Sequence, residues 1–409
     1  MFRLGKLAFL NTLRNKRRSL LTVIIIVVSF IVLSIFQGYI NSQRISWREM
    51  LIHGEYGHLQ VFHRDYFEDD NTALEHVITE DQFKTLAGVM DKIPEIGYYT
   101  GRLNLSGLIG NEYASKIFIG SARDVSELAE LHYFSPVKDG QFLTEERPDG
   151  ILVGYKLAEK LKAGVGDEVM LMAHSRLGSI EAINATVIGL LNTDSYSVFN
   201  EMGVYLRLES AEELILGKLY HYIVILLDSY DSIPRVKSLL EAEIGKSKLP
   251  LVVKDFAEVA TFFMQVVGMY EGYFLVALVV LAVLIVFSLT NTIYMSITDR
   301  TKEFSTMKTL GVRDKTVFAL ILLEGTFIAF FGVLLGLVLA YLSHLALNSL
   351  QLTLPPPPGS SDRIPFYVLF DLFRNLKLAA VFILVAALAS VFPAYSVIKR
   401  NIMKGLHTQ

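Results

Sequence analysis

Few side chains in this 409-residue sequence have the types and spacing that enzyme catalysis needs. Two pairs of adjacent carboxylates, Asp69-Asp70 and Glu145-Glu146, could share a proton as an acid/base pair. Neighbouring loop residues usually point apart, so both pairs are predicted to be solvated loop positions. The nine histidines are scattered without an H-x-x-x-H spacing, and cysteine is absent. The sequence therefore predicts no acid/base pair, no cysteine nucleophile and no metal site.

The motifs of nucleotide hydrolysis and acyl transfer are also absent from the sequence. It contains no G-x-x-x-x-G-K-[ST] phosphate loop, no G-x-S-x-G elbow and no H-E-x-x-H pair. The net charge of −3 gives no indication of nucleic-acid binding. We therefore expect a chain that is not an enzyme, holds no cofactor and does not hydrolyse ATP by itself.

The remaining polar and small residues of interest lie in apolar segments. Glu324 is the one carboxylate in the apolar interior of a predicted membrane span, where it is expected either in a hydrogen bond or ion pair, or in a proton relay. Gly332, Gly336 and Ala340 repeat every four residues along the same span. Such a face lets another helix approach closely, either within the chain or from a second subunit.

Composition and hydropathy place these residues in a membrane protein. Hydrophobic residues make up 52% of the chain and charged residues only 19%. Four apolar stretches exceed the roughly 20 helical residues that cross a bilayer. They occupy residues 20–40, 271–298, 316–345 and 378–398. The first stretch follows a basic cluster but lacks a cleavage site, so it is predicted to be an uncleaved anchor.

Lysine and arginine concentrate at alternate ends of these spans. The positive-inside rule then places residues 1–19, 299–315 and 399–409 in the cytoplasm. Residues 41–270 and 346–377 are left outside, the latter with the proline run Pro355–Pro358, predicted to be a stiff spacer or part of the outer mouth of a cavity. We predict an α-helical membrane protein with four transmembrane helices and one large extracytoplasmic domain.

The extracytoplasmic segment alternates between strand-like and helix-like patterns. Runs rich in β-branched and aromatic residues fall at 58–63, 116–119, 151–153, 168–172, 182–188, 203–208 and 222–227. Helical spacing appears at 79–90, 154–161, 210–216 and 232–244. Residues 41–51 and 257–270 are predicted to be helical stalks. Together these patterns predict an α+β domain.

The loop after the second span contains a short amphipathic stretch. Phe304, Met307 and Leu310 follow at i, i+3 and i+6, and we predict that they share one helix face. Glu303 stands near the helix start, where the dipole favours an anion, and Gly311 suits the C-terminal cap. From the pattern alone, this helix either docks against another protein or lies among lipid headgroups.

Several stretches in order resemble one family. They are the basic entry 11–22, Gly57-His58-Leu59-Gln60-Val61, the run 150–158 with Val165-Gly166-Asp167-Glu168-Val169, the run 187–206, the run 299–312 with Leu323-Glu324-Gly325, and Pro393-Ala394-Tyr395. In this order they resemble the LolC/LolE lipoprotein-releasing permeases of the wider MacB/FtsX-like superfamily. The resemblance covers nearly the whole chain, and its most specific part is 299–312.

The resemblance implies a permease of the bacterial inner membrane with a MacB-like periplasmic domain. Two separate ATPase subunits that bind ATP and Mg²⁺ would supply the energy, and two permease subunits, identical or homologous, would pair. The cargo would be a lipoprotein or another lipid-anchored molecule. The coupling helix that docks on the ATPase would present Glu303, Phe304, Met307, Lys308, Leu310 and Gly311.

Two points of the resemblance stay open. The hairpin connection 173–179 is short and has no proline, unlike the extended hook with which such permeases recruit a periplasmic carrier. Recruitment of a carrier by this chain is therefore not implied. The alternative function is that of an FtsX-like regulatory permease, which transports nothing and controls a periplasmic partner such as a cell-wall hydrolase.

Overall fold

The computed structural model describes residues 5, 7–8, 11, 16–68, 73–130, 137–192, 197–354 and 364–399. The chain divides into two compact units. The first consists of Met1–Ile45, Val266–Pro355 and Arg363–Gln409, and the second of Ser46–Gln265 with Pro356–Asp362. Asp69-Asp70 and the proline run at 355–358 lie outside the described residues.

The first unit is a bundle of long apolar helices. In the described part of the chain, four helices are long and apolar enough to cross a membrane, and each predicted span lies inside one of them. These are α1 (Lys16–Leu51), α9 (Thr261–Asp299), α11 (Asp314–Ser349) and α12 (Leu372–Lys399), with the short α10 (Thr301–Thr309) between α9 and α11.

The remaining helices belong to the second unit and are shorter. They are α2 (Glu80–Met90), α3 (Val125–Glu130), α4 (Tyr155–Leu161), α5 (Ser197–Met202), α6 (Leu208–Ile215), α7 (Ile233–Lys246) and α8 (Phe256–Val259). The N-terminus of α2 is closed by a capping box between Thr79 and Gln82. The predicted stalk 257–270 differs from the structure, because Ala260 leaves the helical conformation and separates α8 from α9.

Fourteen strands are present in the described residues. They are β1 (Leu59–His63), β2 (Ile78–Thr79), β3 (Ile96–Gly110), β4 (Ser115–Arg123), β5 (Val137–Gly140), β6 (Gly150–Gly154), β7 (Glu168–His174), β8 (Ile180–Leu191), β9 (Gly203–Arg207), β10 (Leu219–Tyr220), β11 (Tyr222–Leu227), β12 (Leu251–Asp255), β13 (Thr353–Leu354) and β14 (Ile364–Pro365). The first twelve belong to the second unit. Its helices and strands confirm the predicted α+β class.

The main sheet of the second unit closes on itself over part of its width. Strand β3 pairs with β4, which continues through β9, β6 and β8 to β7, and β7 pairs with β3 again. The other half of β3 pairs with β11, which extends the sheet through β1 to β12. The 15-residue length of β3 lets it serve both parts, and one hydrophobic core runs beneath them.

Candidate functional site

The candidate site is α10 together with the helix ends that hold it. Gly311 adopts φ +85°, which an L-residue rarely takes, and its N–H donates to Lys308 O at 3.0 Å. The next N–H, of Val312, reaches back to Met307 O at 3.0 Å. This hydrogen-bonded reversal ends α10 and directs the chain into α11.

A buried ionic cluster fixes the start of α10. Arg300 is 6% exposed, and its Nη1 donates to Glu324 Oε1 at 2.9 Å while its Nε donates to Glu303 Oε2 at 2.8 Å. Asn11 Nδ2 donates to the same Glu324 oxygen at 2.6 Å. Burial opposes the charge of Arg300, but the two carboxylates outweigh it and hold its pKa above the ordinary value. The position of Glu324 is thus that of a hydrogen-bonded ion pair.

The end of α10 is held by Lys308. Its Nζ donates to the backbone oxygen of Ile398 at 3.0 Å and lies 3.0 Å from Asp314 Oδ1. Carbonyl groups at a helix C-terminus carry partial negative charge, so an ammonium group there is stabilising. Lys308 was expected to face an ATPase, whereas the structure uses it to fasten α10 to the end of α12 and the start of α11.

The predicted single apolar face of α10 is not what the structure shows. Phe304 is 4% exposed and packs in the core of the bundle, Met307 is half-buried, and Leu310 is 79% exposed. The reason is geometric: at about 100° per residue, positions i and i+6 differ by roughly 120° around the helix. Only Leu310 of the three is turned outward.

The outward side of α10 forms a ridge of its own. Its exposed members follow at i, i+4, i+7 and i+8, the spacing of one helix face. We call this set the outer ridge, and it comprises Lys302, Thr306, Thr309 and Leu310. A single large apolar side chain surrounded by hydrophilic ones suits contact with another protein.

The small residues of α11 bring it against α1. A Cβ added to Gly332 would lie 2.8 Å from Ile26 Cγ2, and one added to Gly336 would lie 3.1 Å from Phe30 Cβ. Ala340, the third member of the repeat, is fully buried. The close approach that this spacing predicts is therefore made within the chain.

The second unit contains a buried ionic network that sequence reasoning missed. Arg102 and Arg123 are 0% and 2% exposed, and Arg102 Nε donates to Glu127 Oε1 at 2.7 Å. Arg123 Nη2 donates to Glu55 Oε2 at 2.5 Å, and Arg102 Nη1 donates to the backbone oxygen of Glu55. Burial would raise the pKa of Glu55, but Arg123 and Arg102 hold it below its usual range. The network ties the π-helical turn Ile52–Tyr56, which directly follows α1, to β3 and β4.

The carboxylates and histidines that the sequence offered for catalysis or metal binding do not form such a site in the described part of the chain. Glu145 and Glu146 are both exposed in a loop, and no three His, Asp or Glu side chains gather in a metal-binding group there. The β7–β8 connection is a tight turn in which Ser175 N donates to Ser179 O at 2.8 Å, with Leu177 79% exposed at its tip.

Comparison with known proteins identifies two matching family models. The model of the MacB-like periplasmic core domain matches residues 19–243, more than half of the chain. The model of the FtsX-like permease C-terminal region matches residues 275–402. The two matches follow one another along the sequence and leave residues 244–274, which include α8, between them.

Individual relatives are distant. The lipoprotein-releasing system transmembrane protein LolC of Neisseria meningitidis is 24% identical over 46% of this chain and 46% of its own length. An uncharacterized ABC transporter permease of Methanocaldococcus jannaschii is 24% identical over 82% of each chain. The ABC transporter permease YtrF of Bacillus subtilis is 26% identical over 29% of this chain and 28% of its own. The match to this chain thus spans about half the length of LolC, less than a third of YtrF, and most of the Methanocaldococcus permease.

Two solved structures of extracytoplasmic domains match about half of this chain each. The periplasmic region of MacB from Actinobacillus actinomycetemcomitans has a TM-score of 0.39 at 14% identity, covering 52% of this chain and 95% of that one. The extracellular domain of the ABC-type transporter YknZ of Gram-positive bacteria has a TM-score of 0.36 at 13% identity, covering 48% and 99%.

Proposed function

Because this chain belongs to the MacB/FtsX/LolC superfamily of ABC-type permeases, we propose that it is the membrane subunit of a complex that turns ATP hydrolysis into movement of an extracytoplasmic domain. A separate ATPase, in two copies, would dock on α10 from the cytoplasm. Two permease subunits, identical or homologous, would form the membrane part of the complex. The work done would be release of a lipoprotein or another lipid-anchored molecule from the bacterial inner membrane toward the periplasm.

The observation that carries this proposal is the way in which α10 is held. Its inner side is fastened to the bundle by Arg300, Phe304 and Lys308, while the outer ridge stays exposed. A docking element needs a firmly held inner side and an exposed outer side, since a loosely held helix would absorb a push instead of passing it on. An interfacial helix would need its exposed side to be broadly apolar, whereas the outer ridge has one large apolar side chain, Leu310, among hydrophilic residues.

The chain connections between the two units favour transmission of that push. Two of the passages between the units, at Ile45/Ser46 and at Gln265/Val266, lie inside α1 and α9. Helices resist compression and bending because each turn is hydrogen-bonded to the next. At the end of α1, the network of Glu55, Arg102 and Arg123 fastens the following turn to the sheet.

The proposal is tested with Leu310→Asp in the full chain, expressed with its native ATPase. We expect the charge to abolish co-purification of the P-loop ATPase subunit while the permease stays folded, because Leu310 is 79% exposed. Leu177→Asp is the matched control, since Leu177 is also 79% exposed but lies on the β7–β8 turn. Undiminished ATPase binding by Leu310→Asp would refute docking through the outer ridge.

Cargo is tested separately, by mass spectrometry of lipids and lipoproteins bound to the purified complex before and after ATP addition. ATP-dependent loss of a bound lipoprotein is expected for a releasing permease. A soluble periplasmic partner that stays bound in the presence of ATP, without any lipid-anchored cargo, would instead support the regulatory function.

A further inference from the structure

The main sheet of the second unit ends at β12. Among the strands that the structure describes, β12 pairs only with β1, in an antiparallel register that sets Val253 opposite Val61. A cavity of about 570 Å³ lies beside β12, and Leu251, Val252 and Val253 line it together with the last turns of α7. The cavity lies wholly within the second unit, and neither the docking of an ATPase nor the buried ionic network uses it.

Hydrogen bonds at both ends of β12 show which of its backbone groups face away from β1. The N–H of Arg64 donates to Pro250 O at 2.8 Å, and the N–H of Phe256 donates to His58 O at 3.1 Å. In an antiparallel ladder, the N–H and C=O of one residue point to the neighbouring strand, and those of the next residue point away. The even-numbered residues from 250 to 256 therefore face β1, and the N–H and C=O groups of residues 251, 253 and 255 face outward.

Only part of this outer edge is closed by the chain itself. The N–H of Asp255 donates to Glu258 Oε2 at 2.9 Å in the capping box of α8. For the N–H groups of Leu251 and Val253, no acceptor is present among the described residues. Both of these side chains are buried, at 4% and 1% exposure, so the backbone between them is held in place. The open edge therefore consists of two N–H and two C=O groups in fixed positions.

The usual protection of an edge strand is missing from this stretch. Edge strands are commonly shielded by a lysine or a proline that obstructs the approach of a further strand. Lys254 instead places its ammonium group 3.7 Å from the centroid of the Phe67 ring, and Pro250 is one of the residues that face β1. An open edge of this kind is a template for another strand.

Two cations line the cavity at the Leu251 end of the open edge. Arg64 lies opposite Pro250 in the ladder, and Lys248 precedes Pro250 by two residues. Both cationic side chains are exposed, and neither makes a hydrogen bond or ion pair with another residue that the structure describes. Glu241 is the one carboxylate of the described lining, so the cavity carries a net positive charge.

We propose that β12 accepts an extended segment of a partner protein as an additional strand, with an acidic side chain of that segment at Arg64 and Lys248. An extended peptide presents N–H and C=O groups on one edge at every second residue, about 6.8 Å apart, which matches the outward groups of β12. Main-chain hydrogen bonds then supply the affinity of such strand addition. A phosphate ion would meet the cations but would leave the outward C=O groups without donors.

A second copy of this chain fits the edge less well. Two β12 strands paired antiparallel about Val252 would set Lys254 of one copy opposite Pro250 of the other. That arrangement brings a further cation toward the two that already line the cavity, whereas an acidic segment of another protein supplies the missing charge. The inference needs neither an ATPase nor a cargo, and it therefore goes beyond the proposed function.

The probe is a fluorescein-labelled octapeptide of alternating threonine and valine with one central glutamate. Its binding to the purified full chain, without ATPase and in mild detergent, is measured by fluorescence anisotropy. We expect binding that weakens tenfold or more when lysine replaces the glutamate, because a charge-assisted contact becomes a repulsion. A peptide N-methylated throughout, which has no N–H groups to donate, should not bind. Hydrogen exchange of the Leu251 and Val253 amides should slow at least tenfold when the glutamate peptide is bound.

Variants locate the site. Arg64→Gln with Lys248→Gln should weaken binding of the glutamate peptide about tenfold or more, and since both side chains are exposed the fold stays undisturbed. Lys92→Gln with Lys116→Gln is the matched control, because both lysines are exposed on the second unit outside the cavity lining, and binding should be unchanged. Val253→Pro removes an outward N–H without removing a hydrogen bond to β1, and it should also weaken binding.

Three results would overturn the proposal. One is the absence of binding of the glutamate peptide up to millimolar concentration. Another is equal binding of the glutamate and lysine peptides by the wild type, or equal binding of the glutamate peptide by the wild type and the Arg64/Lys248 variant. The third is a dimer of the full chain that Val253→Pro dissociates, which would assign the edge to a second copy. None of these results bears on docking of an ATPase through the outer ridge.

Discussion

Arg300 Nη1 lies 2.9 Å from Glu324 Oε1, and this contact joins the turn before α10 to the inner part of α11. Both side chains are almost fully buried, at 6% and 8% exposure. In the proposed mechanism, a push on α10 would therefore meet a charged contact inside the bundle rather than a flexible loop. Since a buried ion pair is costly to break from one side only, the contact can be examined by substitution.

Glu324→Gln should destabilise the bundle by about 2 kcal/mol, because Arg300 would keep Glu303 but lose a buried anionic partner. The measurement is SDS-induced unfolding of the detergent-solubilised chain. Arg300→Met with Glu324→Leu, which removes both charges, should recover most of this loss. A double variant less stable than Glu324→Gln would contradict the account.

Gly332→Leu should destabilise the bundle by about 1–3 kcal/mol, because the added side chain meets Ile26 at van der Waals overlap. Gly272→Leu on α9 is the control: a Cβ there has no neighbour within 4 Å, and loss of a helical glycine favours the helix. Ile26→Ala should rescue Gly332→Leu. Equal effects of the two leucine substitutions in SDS unfolding would argue against tight packing of α1 on α11.

Glu127→Gln should destabilise the second unit by about 3–5 kcal/mol, since it leaves two buried arginines with one carboxylate. Glu201→Gln is the control, because Glu201 pairs with Lys156 and Lys160 at the surface and should contribute less than about 1 kcal/mol. Urea unfolding followed by fluorescence of Trp47, the single tryptophan, gives the comparison. Similar losses of unfolding free energy in the two variants would show that the buried network contributes no more to stability than a surface ion pair.

The second unit should lose stability in mild acid. Burial lowers the pKa of His58 and of His221 from 6.5 to about 4. His221 Nδ1 accepts the backbone N–H of Asn104 at 3.1 Å, so its neutral form is the folded one. A pKa that is lower in the folded than in the unfolded state gives stability that is complete above about pH 6.5 and is lost as the pH falls toward 4.

His221→Gln isolates that effect. Its free energy of unfolding in urea should fall by less than that of the wild type between pH 6.5 and 4, and the difference should be on the order of 2 kcal/mol for one buried imidazole. Trp47 fluorescence reports both curves. Parallel curves for the two proteins over this interval would mean that His221 does not titrate with unfolding.

The long helices and the α+β class could be predicted because their patterns are local. Strand β11 was predicted with its observed bounds, 222–227, and α2, α4, α6 and α7 within about two residues at each end. Strands β2, β3, β5, β10, β12, β13 and β14 were not predicted. The second half of β3, with Gly107 and Gly110 among its residues, is stabilised by pairing with both β4 and β7, which local propensity does not reveal.

The position of α10 was predicted, but the side of it that faces the bundle was not. The pattern of α10 gave its position, and Gly311 gave its end. The inward side of α10 is set by the contact of Arg300 with Glu324 of another helix. A 3.6-residue period cannot reveal a contact between two residues that are 24 positions apart in the sequence. Arg102 and Arg123 were passed over for the same reason, since their partners Glu55 and Glu127 come from other elements.

Helix α9 is the least enclosed of the long helices, with only 11% of its most apolar window buried by the rest of the chain, against 50% for α11. Most residues of that window are therefore not buried by the rest of the chain and can contact detergent. The free energy of unfolding therefore depends on the chain length of the detergent. Values for different variants can be compared only when they are measured in one detergent.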